Sequence, residues 1–184
     1  MKLILVLLVA VVLFYMYYGI GTSSKDGKSV TSGVVSYDNE TVGSLQVNGV
    51  VTLDGTTVSN TLAVAGSLQA KKAHINTMQV NGHASLTECV VDGKAQIQGY
   101  LSAHQTTFGS ELTLSTYKVK FDNCTLGALV IKKAFWALGQ QVVELADNTT
   151  CSGPITFENG NGKVILSGNS QFNGTVQGAE VEKQ

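Results

Sequence analysis

The sequence predicts an all-β fold: a single-stranded parallel β-helix of about seven coils of 16–17 residues each, preceded by an N-terminal transmembrane helix. The first observation behind this prediction is a repeated motif in residues 44–107. The pattern Leu-x-Val-x-Gly ends at Gly49. Related patterns end at Gly66, Gly82 and Gly99, so the glycine returns after 17, 16 and 17 residues. A fixed period of this size indicates a solenoid in which each repeat forms one turn.

The second observation is that apolar residues alternate within each repeat, as Leu45 and Val47 do before the glycine and Val51 and Leu53 do after it. Because successive side chains of a strand point to opposite faces, this alternation predicts short strands with one buried face. A β-sandwich with frequent turns is the alternative. Sandwiches do not repeat columns of side chains, so the repeat favours the β-helix.

Two kinds of corner residue are predicted between the strands. The repeated glycines supply corners that need a positive φ. Asn60, Asn76 and Asp92 fall at another corner, where short polar side chains tolerate left-handed geometry and can stack as a ladder.

Residues 1–21 are predicted to form a transmembrane anchor or a cleaved signal peptide. Residues 3–18 are uninterruptedly apolar and, with the next two residues, reach about the length that crosses a bilayer. Small residues at Gly19 and Gly21 suit a cleavage site, which is the signal-peptide interpretation. Tyrosines clustered at one end suit a membrane interface, which favours the anchor. These tyrosines are Tyr15, Tyr17 and Tyr18.

The remaining chain divides into three parts by composition. Residues 22–42 are rich in Ser, Gly and Thr and are predicted to be a polar linker, although an apolar pair near its end could begin the first coil. Residues 43–178 are predicted to form the β-helix domain. Residues 179–184 are predicted to be a polar tail.

One segment breaks the alternation. In residues 132–138, KKAFWAL, the apolar residues follow each other without parity, so part of the segment cannot face the solenoid core. Phe135, Trp136 and Leu138 are therefore the candidate protein contact, since large aromatic residues are enriched at interface hot spots. A wider coil, or a loop packed on the core, is the alternative.

The composition argues against several classes of function. The formal net charge is −1, and the twelve basic residues are all lysines, which disfavours the arginine-based recognition of nucleic acids. Cys89 and Cys124 are predicted to be buried in one column two coils apart, too far for a disulfide, and no zinc-binding spacing is present. The three histidines are predicted to be solvated, without carboxylate partners. We therefore predict no catalytic, cofactor or metal site, no small-molecule substrate and no enzymatic activity.

The Leu-x-Val-x-Gly pattern at a period of 16–17, over about residues 44–131, resembles the bactofilins, a family of polymer-forming cytoskeletal proteins. The resemblance implies a small right-handed β-helix that polymerises end to end into nucleotide-free filaments and attaches to membranes. The chain departs from this pattern in its long N-terminal apolar run, its aromatic segment at 134–138 and its irregular last coils.

The expected function is that of a non-enzymatic, membrane-anchored scaffold that acts through protein–protein contacts of a β-helical rod. The expected partners are the membrane and either further copies of the chain or a larger protein assembly, with the β domain outside the cytoplasm. A membrane-associated virion or cell-envelope component that contacts a coat layer is the first alternative. A carbohydrate-binding or carbohydrate-active β-helix is the second.

Overall fold

The computed structural model describes residues 28–133 and 139–184 and shows an all-β parallel β-solenoid of about nine turns. The predicted parallel β-helix is confirmed, whereas the predicted number of about seven coils is too low. The described residues contain no helix, and thus none that is long and apolar enough to cross a membrane. At a spacing of ~4.8 Å per turn, nine turns make a rod of ~40 Å.

The described residues form nineteen strands, which make a single parallel sheet that winds round the core. In chain order they are β1 (Lys28–Asp38), β2 (Thr41–Val42), β3 (Ser44–Asp54), β4 (Thr57–Lys71), β5 (His74–Thr87), β6 (Val90–Val91), β7 (Ala95–His104), β8 (Thr107–Phe108), β9 (Leu112–Ser115), β10 (Lys118–Asp122), β11 (Thr125–Leu126), β12 (Leu129–Ile131), β13 (Gln141–Ala146), β14 (Thr150–Cys151), β15 (Ile155–Phe157), β16 (Gly162–Leu166), β17 (Gln171–Phe172), β18 (Val176–Gln177) and β19 (Ala179–Lys183).

Each turn has three faces, which we name from turn 2: face A is formed by residues 44–48, face B by 50–54 and face C by 57–58. Turns 1 and 2 begin with β1 and β3, turns 3 and 4 begin within β4 and β5, and turns 5 to 9 begin with β7, β9, β12, β15 and β18. Neighbouring turns pair in register, so that Leu45 lies beside Leu62, and Leu62 beside Met78. One period of sequence therefore brings equivalent residues into a column along the rod.

The core is a stack of these columns. Leu45, Val47, Val51, Leu53 and Val58 are all at most 1% exposed, and their equivalents in the following turns are buried in the same way. The intervening side chains point to solvent. This is the alternation that the sequence predicts, and burying each such side chain stabilises the fold by about 1.5–3 kcal/mol.

The glycine column forms the corner between faces A and B in the first five turns. Gly82 adopts a φ of 138°, in the region that favours glycine. A Cβ at this position would lie 2.0 Å from the carbonyl oxygen of Gly66 in the preceding turn. The predicted role of the glycines is thus confirmed, and close contact between turns adds a second reason for their presence.

The left-handed non-glycine residues lie at the corner between faces B and C, and not at the predicted corner. They include Lys72, Glu88 and Gln105, each with a φ near 50°, whereas Asn60, Asn76 and Asp92 adopt no positive φ. The residues at this corner donate their backbone N–H to the next turn, as Glu88 does to the carbonyl oxygen of His104 at 3.0 Å. Asn39, Gly55 and Asn123 occupy this corner in turns 1, 2 and 6, so inter-turn hydrogen bonds hold the conformation in each of turns 1 to 6, and residues that tolerate left-handed backbone assist in some of them.

Replacing Glu88 by glycine should raise the free energy of unfolding by about 0.5–1 kcal/mol. A left-handed non-glycine residue costs about 1–2 kcal/mol, and the larger conformational entropy that glycine loses on folding offsets part of this gain. Urea denaturation would measure the change. Ser85→Gly, on an extended strand of the same turn, is the matched control and should lower stability by about 0.5–1 kcal/mol. Equal losses in both variants would contradict a strained corner at Glu88.

The β domain extends beyond the predicted range of 43–178. Strand β1 lies in the predicted linker 22–42, and β19 lies in the predicted tail 179–184. In β1 the side chains of Val35 and Tyr37 pack against the core, so alternation operates there despite the polar composition. The predicted membrane segment 1–21 lies outside the described residues.

Candidate contact surface

The predicted contact residues themselves lie outside the described part of the chain. These are Phe135, Trp136 and Leu138, and the membrane-interface residues Tyr15, Tyr17 and Tyr18 lie outside it as well. The residues on either side of 134–138 belong to turn 7. The buried side-chain amide of Gln141 donates to the carbonyl oxygens of Thr116 at 2.7 Å and Lys132 at 2.9 Å. Lys132 and Gln141 therefore lie together at the corner between faces A and B of turn 7.

Two exposed tyrosines lie on or beside this same corner in the preceding turns. Tyr100 is 55% exposed and Tyr117 is 50% exposed. The ring of Tyr100 stacks on His83 of turn 4, with centroids 4.9 Å apart and planes at 14°. A Cβ on Gly139 would lie 3.7 Å from Cε2 of Tyr117, so the re-entering chain passes beside that ring.

A shallow groove of about 300 Å³ adjoins Tyr100 on face B. Ser102 provides its low centre because a small side chain lies between larger ones on the same strand. Its rim is formed by outward side chains of turns 5 and 6. These are Tyr100, His104, Lys118, Lys120 and Asp122.

The charged groups of this groove pair across the turns. Nδ1 of His104 lies 3.2 Å from a carboxylate oxygen of Asp122. Glu144, one turn further on, lies 3.7 Å from Nζ of Lys118 and 3.4 Å from Nζ of Lys120. Such half-exposed pairs are each worth at most about 1 kcal/mol. They leave a polar surface whose charges are largely balanced.

The histidines correct a further expectation. All three are on the surface, as predicted, but two of them have carboxylate partners. His74 pairs with Asp92 on the adjacent turn, and His104 pairs with Asp122. These partners are 18 residues apart along the chain, so only the register of the turns brings them together. Within the described contacts, no hydrogen bond joins Ser102 to His104, and no group of three potential metal ligands occurs.

The cysteines have the predicted environment. All three are buried and free, and burial raises the pKa of each thiol above its ordinary value. The corner column holds Cys89, Thr106 and Cys124 on successive turns, and the hydroxyl of Thr106 accepts the backbone N–H of Cys89 at 3.4 Å. Buried thiols with raised pKa values react slowly with oxidants and alkylating reagents.

The two ends of the rod differ in their surface chemistry. At the N-terminal end, β1 pairs with β3 on one side, and no described strand lies beyond it on the other. Its side chains between the terminal Lys28 and Asp38 are uncharged. At the C-terminal end, β19 carries Glu180, Glu182 and Lys183, and its core-facing Val181 is 43% exposed.

The backbone groups of β1 alternate between the two sides of the strand. In turns 7 and 8, the outward residues Val142 and Ser167 donate their N–H to the preceding turn, to Tyr117 and Leu145. Outward residues of face B therefore direct their N–H towards the N-terminal end of the rod. In turn 1 this places the N–H of Val34 and Ser36 on the open side of the edge.

No protein-family model, curated protein or solved structure matches this chain. The sequence contains a signal for the exposed tyrosines at this corner. Tyr100 follows the glycine of its repeat at an outward position, where the other repeats place Val50, Ser67 and His83. An aromatic residue at an outward position of a regular repeat is the sequence signal that marks this surface.

Proposed function

We propose that the chain is a non-enzymatic, membrane-anchored scaffold that acts through protein–protein contacts of its β-helical rod. The observation that carries this proposal is the open edge at β1. On its open side, β1 presents the backbone N–H groups of Val34 and Ser36, with which another strand can pair. The half-buried Val35 and Tyr37 add apolar surface that a further layer would cover.

The composition of β1 supports this use of the edge. Natural edge strands usually carry charges or prolines, or are short, and these features prevent association with other strands. The interior of β1 has none of these, whereas β19 at the other end places charged side chains along its edge. The contrast supports the N-terminal end as one of the associating surfaces that an extended assembly needs.

The anchor part of the proposal rests on residues 3–18. Strand β1 begins ten residues after Tyr18. Ten residues span at most ~35 Å when fully extended, so the open edge would face the membrane surface and lie near other anchored chains. The β domain lies outside the cytoplasm in this proposal, and the assembly is similar in kind to the one that the bactofilin resemblance implies.

Electron microscopy of the full-length protein in its native membrane, together with mass spectrometry of its N-terminus, tests this function. We expect an intact Met1 and ordered filaments or a lattice. A monodisperse, unassembled chain that begins near Thr22 would overturn both the anchor and the scaffold.

A virion or envelope component that contacts a coat layer is the second candidate. The exposed corner formed by Tyr100 and Tyr117 supports it. In that case the chain would stay monomeric until a coat protein is added. Loss of coat binding in Tyr100→Ser, with an unchanged β-sheet circular dichroism spectrum, would distinguish this function from self-assembly.

A further inference from the structure

Five asparagines of this chain are followed directly by glycine. They are Asn48, Asn81, Asn159, Asn161 and Asn173. This pair of residues can react with itself, because no Cβ on the glycine shields its backbone nitrogen from the side-chain carbonyl carbon of the asparagine. Whether the nitrogen reaches that carbon depends on how freely the backbone rotates at each pair, and the structure holds the five pairs in different ways.

Two of the pairs lie inside strands. Asn48 and Gly49 belong to β3, which pairs with β1 on one side and with β4 on the other. Asn81 and Gly82 belong to β5, which pairs with β4 and β7. A strand that is paired on both sides uses its backbone N–H groups in the ladder. The sheet therefore holds the backbone at these two pairs.

Two further pairs are held by the neighbouring turn. The N–H of Gly162, which follows Asn161, donates to a carbonyl oxygen of turn 9 at 2.9 Å. Gly174, which follows Asn173, lies so close to turn 7 that a Cβ on it would be 2.2 Å from the carbonyl oxygen of Gly153. Rotation of the backbone at either pair would disturb a contact between turns.

The remaining pair, Asn159 and Gly160, lies in an exposed turn between β15 and β16. The N–H of Gly160 donates within this turn, to the carbonyl oxygen of Phe157 at 3.2 Å. A Cβ on Gly160 would meet no atom within 4 Å, so the backbone here has open space around it. Its φ of 65° is a conformation that glycine enters and leaves at little steric cost. The backbone can therefore rotate at this pair without breaking a contact between turns.

We propose that Asn159 is a site of spontaneous deamidation. The backbone nitrogen of Gly160 attacks Cγ of Asn159, so a new N–Cγ bond forms while the bond from Cγ to Nδ2 breaks. The amide proton passes to the leaving nitrogen, which departs as ammonia, and the product is a five-membered succinimide ring. Water then opens the ring at either of its two carbonyl carbons and leaves aspartate or isoaspartate at position 159. No group is oxidised or reduced, and water is the co-reactant.

The reaction would change the charge of the rod near its C-terminal end. Each event replaces a neutral amide by a carboxylate next to Glu158, whose own carboxylate lies 3.8 Å from Nζ of Lys132. The formal net charge of the chain thereby becomes more negative than −1. Isoaspartate also lengthens the main chain of the turn by one carbon. Because residues 158–161 are all exposed, the turn can accept both changes without disturbing the core.

Peptide mapping of the full chain in detergent, by mass spectrometry, tests this site. The chain is incubated in mildly alkaline water enriched in oxygen-18, because base removes the amide proton and each opened ring takes up one heavy oxygen. We expect Asn159 to react first and to give both aspartate and isoaspartate. Asn48 and Asn81 are the matched controls within the same molecule. They should react at least about tenfold more slowly, because the ladder must first open locally.

Two further measurements separate the effect of the fold from that of the sequence. In guanidinium chloride, which unfolds the chain, all five pairs should react at similar rates. In the folded chain, Gly160→Ala adds a Cβ that meets no atom but shields the attacking nitrogen, and it should slow the reaction at Asn159 at least about tenfold. Circular dichroism would verify the fold of this variant.

Three results would overturn the assignment. The first is a reaction at Asn48 or Asn81 in the folded chain that is as fast as the reaction at Asn159. The second is an unmodified Asn159 in a folded chain whose unfolded form reacts. The third is an unchanged rate in Gly160→Ala, because the attacking group would then not be the nitrogen of Gly160. None of these results depends on assembly, so the test leaves the scaffold function to its own experiment.

Discussion

Replacing Gly82 by alanine is expected to lower the free energy of unfolding by about 3–5 kcal/mol, close to the whole stability of a marginal domain. The new Cβ would lie 2.0 Å from the carbonyl oxygen of Gly66, and the φ of 138° is one that alanine rarely adopts. Backbone atoms cannot move aside as a flexible side chain can. The two turns must separate instead, which breaks the hydrogen bonds between β4 and β5. Urea denaturation followed by circular dichroism would measure the loss.

Gly160→Ala is the matched control for this prediction. Gly160 also has a positive φ, of 65°, but a Cβ there meets no atom within 4 Å. Gly160→Ala should lower the free energy of unfolding by about 1 kcal/mol, which is the cost of a left-handed backbone alone. A similar loss for both variants would show that backbone conformation, and not contact between turns, requires the glycine column.

The second large effect is expected from Ser36→Pro, which should abolish the ordered assemblies that the wild-type chain forms. Proline removes the backbone N–H on the open side of β1 and places its ring where a pairing strand would lie. The hydrogen bonds from β1 to β3 use the other side of the strand, so the rod itself should remain folded. Electron microscopy and sedimentation of the full chain would measure the loss of assembly.

Ser36→Ala controls for the loss of the serine side chain, because it keeps the backbone N–H, and it should assemble as the wild type does. Assemblies that persist in Ser36→Pro would contradict an association through the β1 edge. Unfolding of Ser36→Pro would contradict the assignment of its N–H to the open side.

Residues 44–131 show how much a regular repeat reveals. The alternation at Leu45 and Val47 predicted which side chains are buried, and the spacing of Gly49 and Gly66 predicted a corner. Both are properties of single positions whose chemistry demands one environment: an apolar side chain must leave water, and a glycine with no Cβ allows close approach.

Other features could not be predicted because they depend on the register between turns. Lys72 and Glu88 have no preference for left-handed backbone, and they adopt it because their N–H groups bond to the next turn. The pair of His104 and Asp122 likewise follows from register. Strand β1 was predicted only as an alternative to a linker, because its composition of Ser, Thr and Gly is typical of linkers and only pairing with β3 makes it a strand.

Because the turns stack in register, the length of the rod can change without a change in the chemistry of its two ends. Duplication of one unit, such as residues 78–94, would insert a turn that pairs with its neighbours as the original does. Each insertion would lengthen the rod by ~4.8 Å and extend every face by one row. Insertion or deletion of whole repeats would therefore change the distance between the two ends of the rod in fixed steps, while the ends themselves stay unchanged.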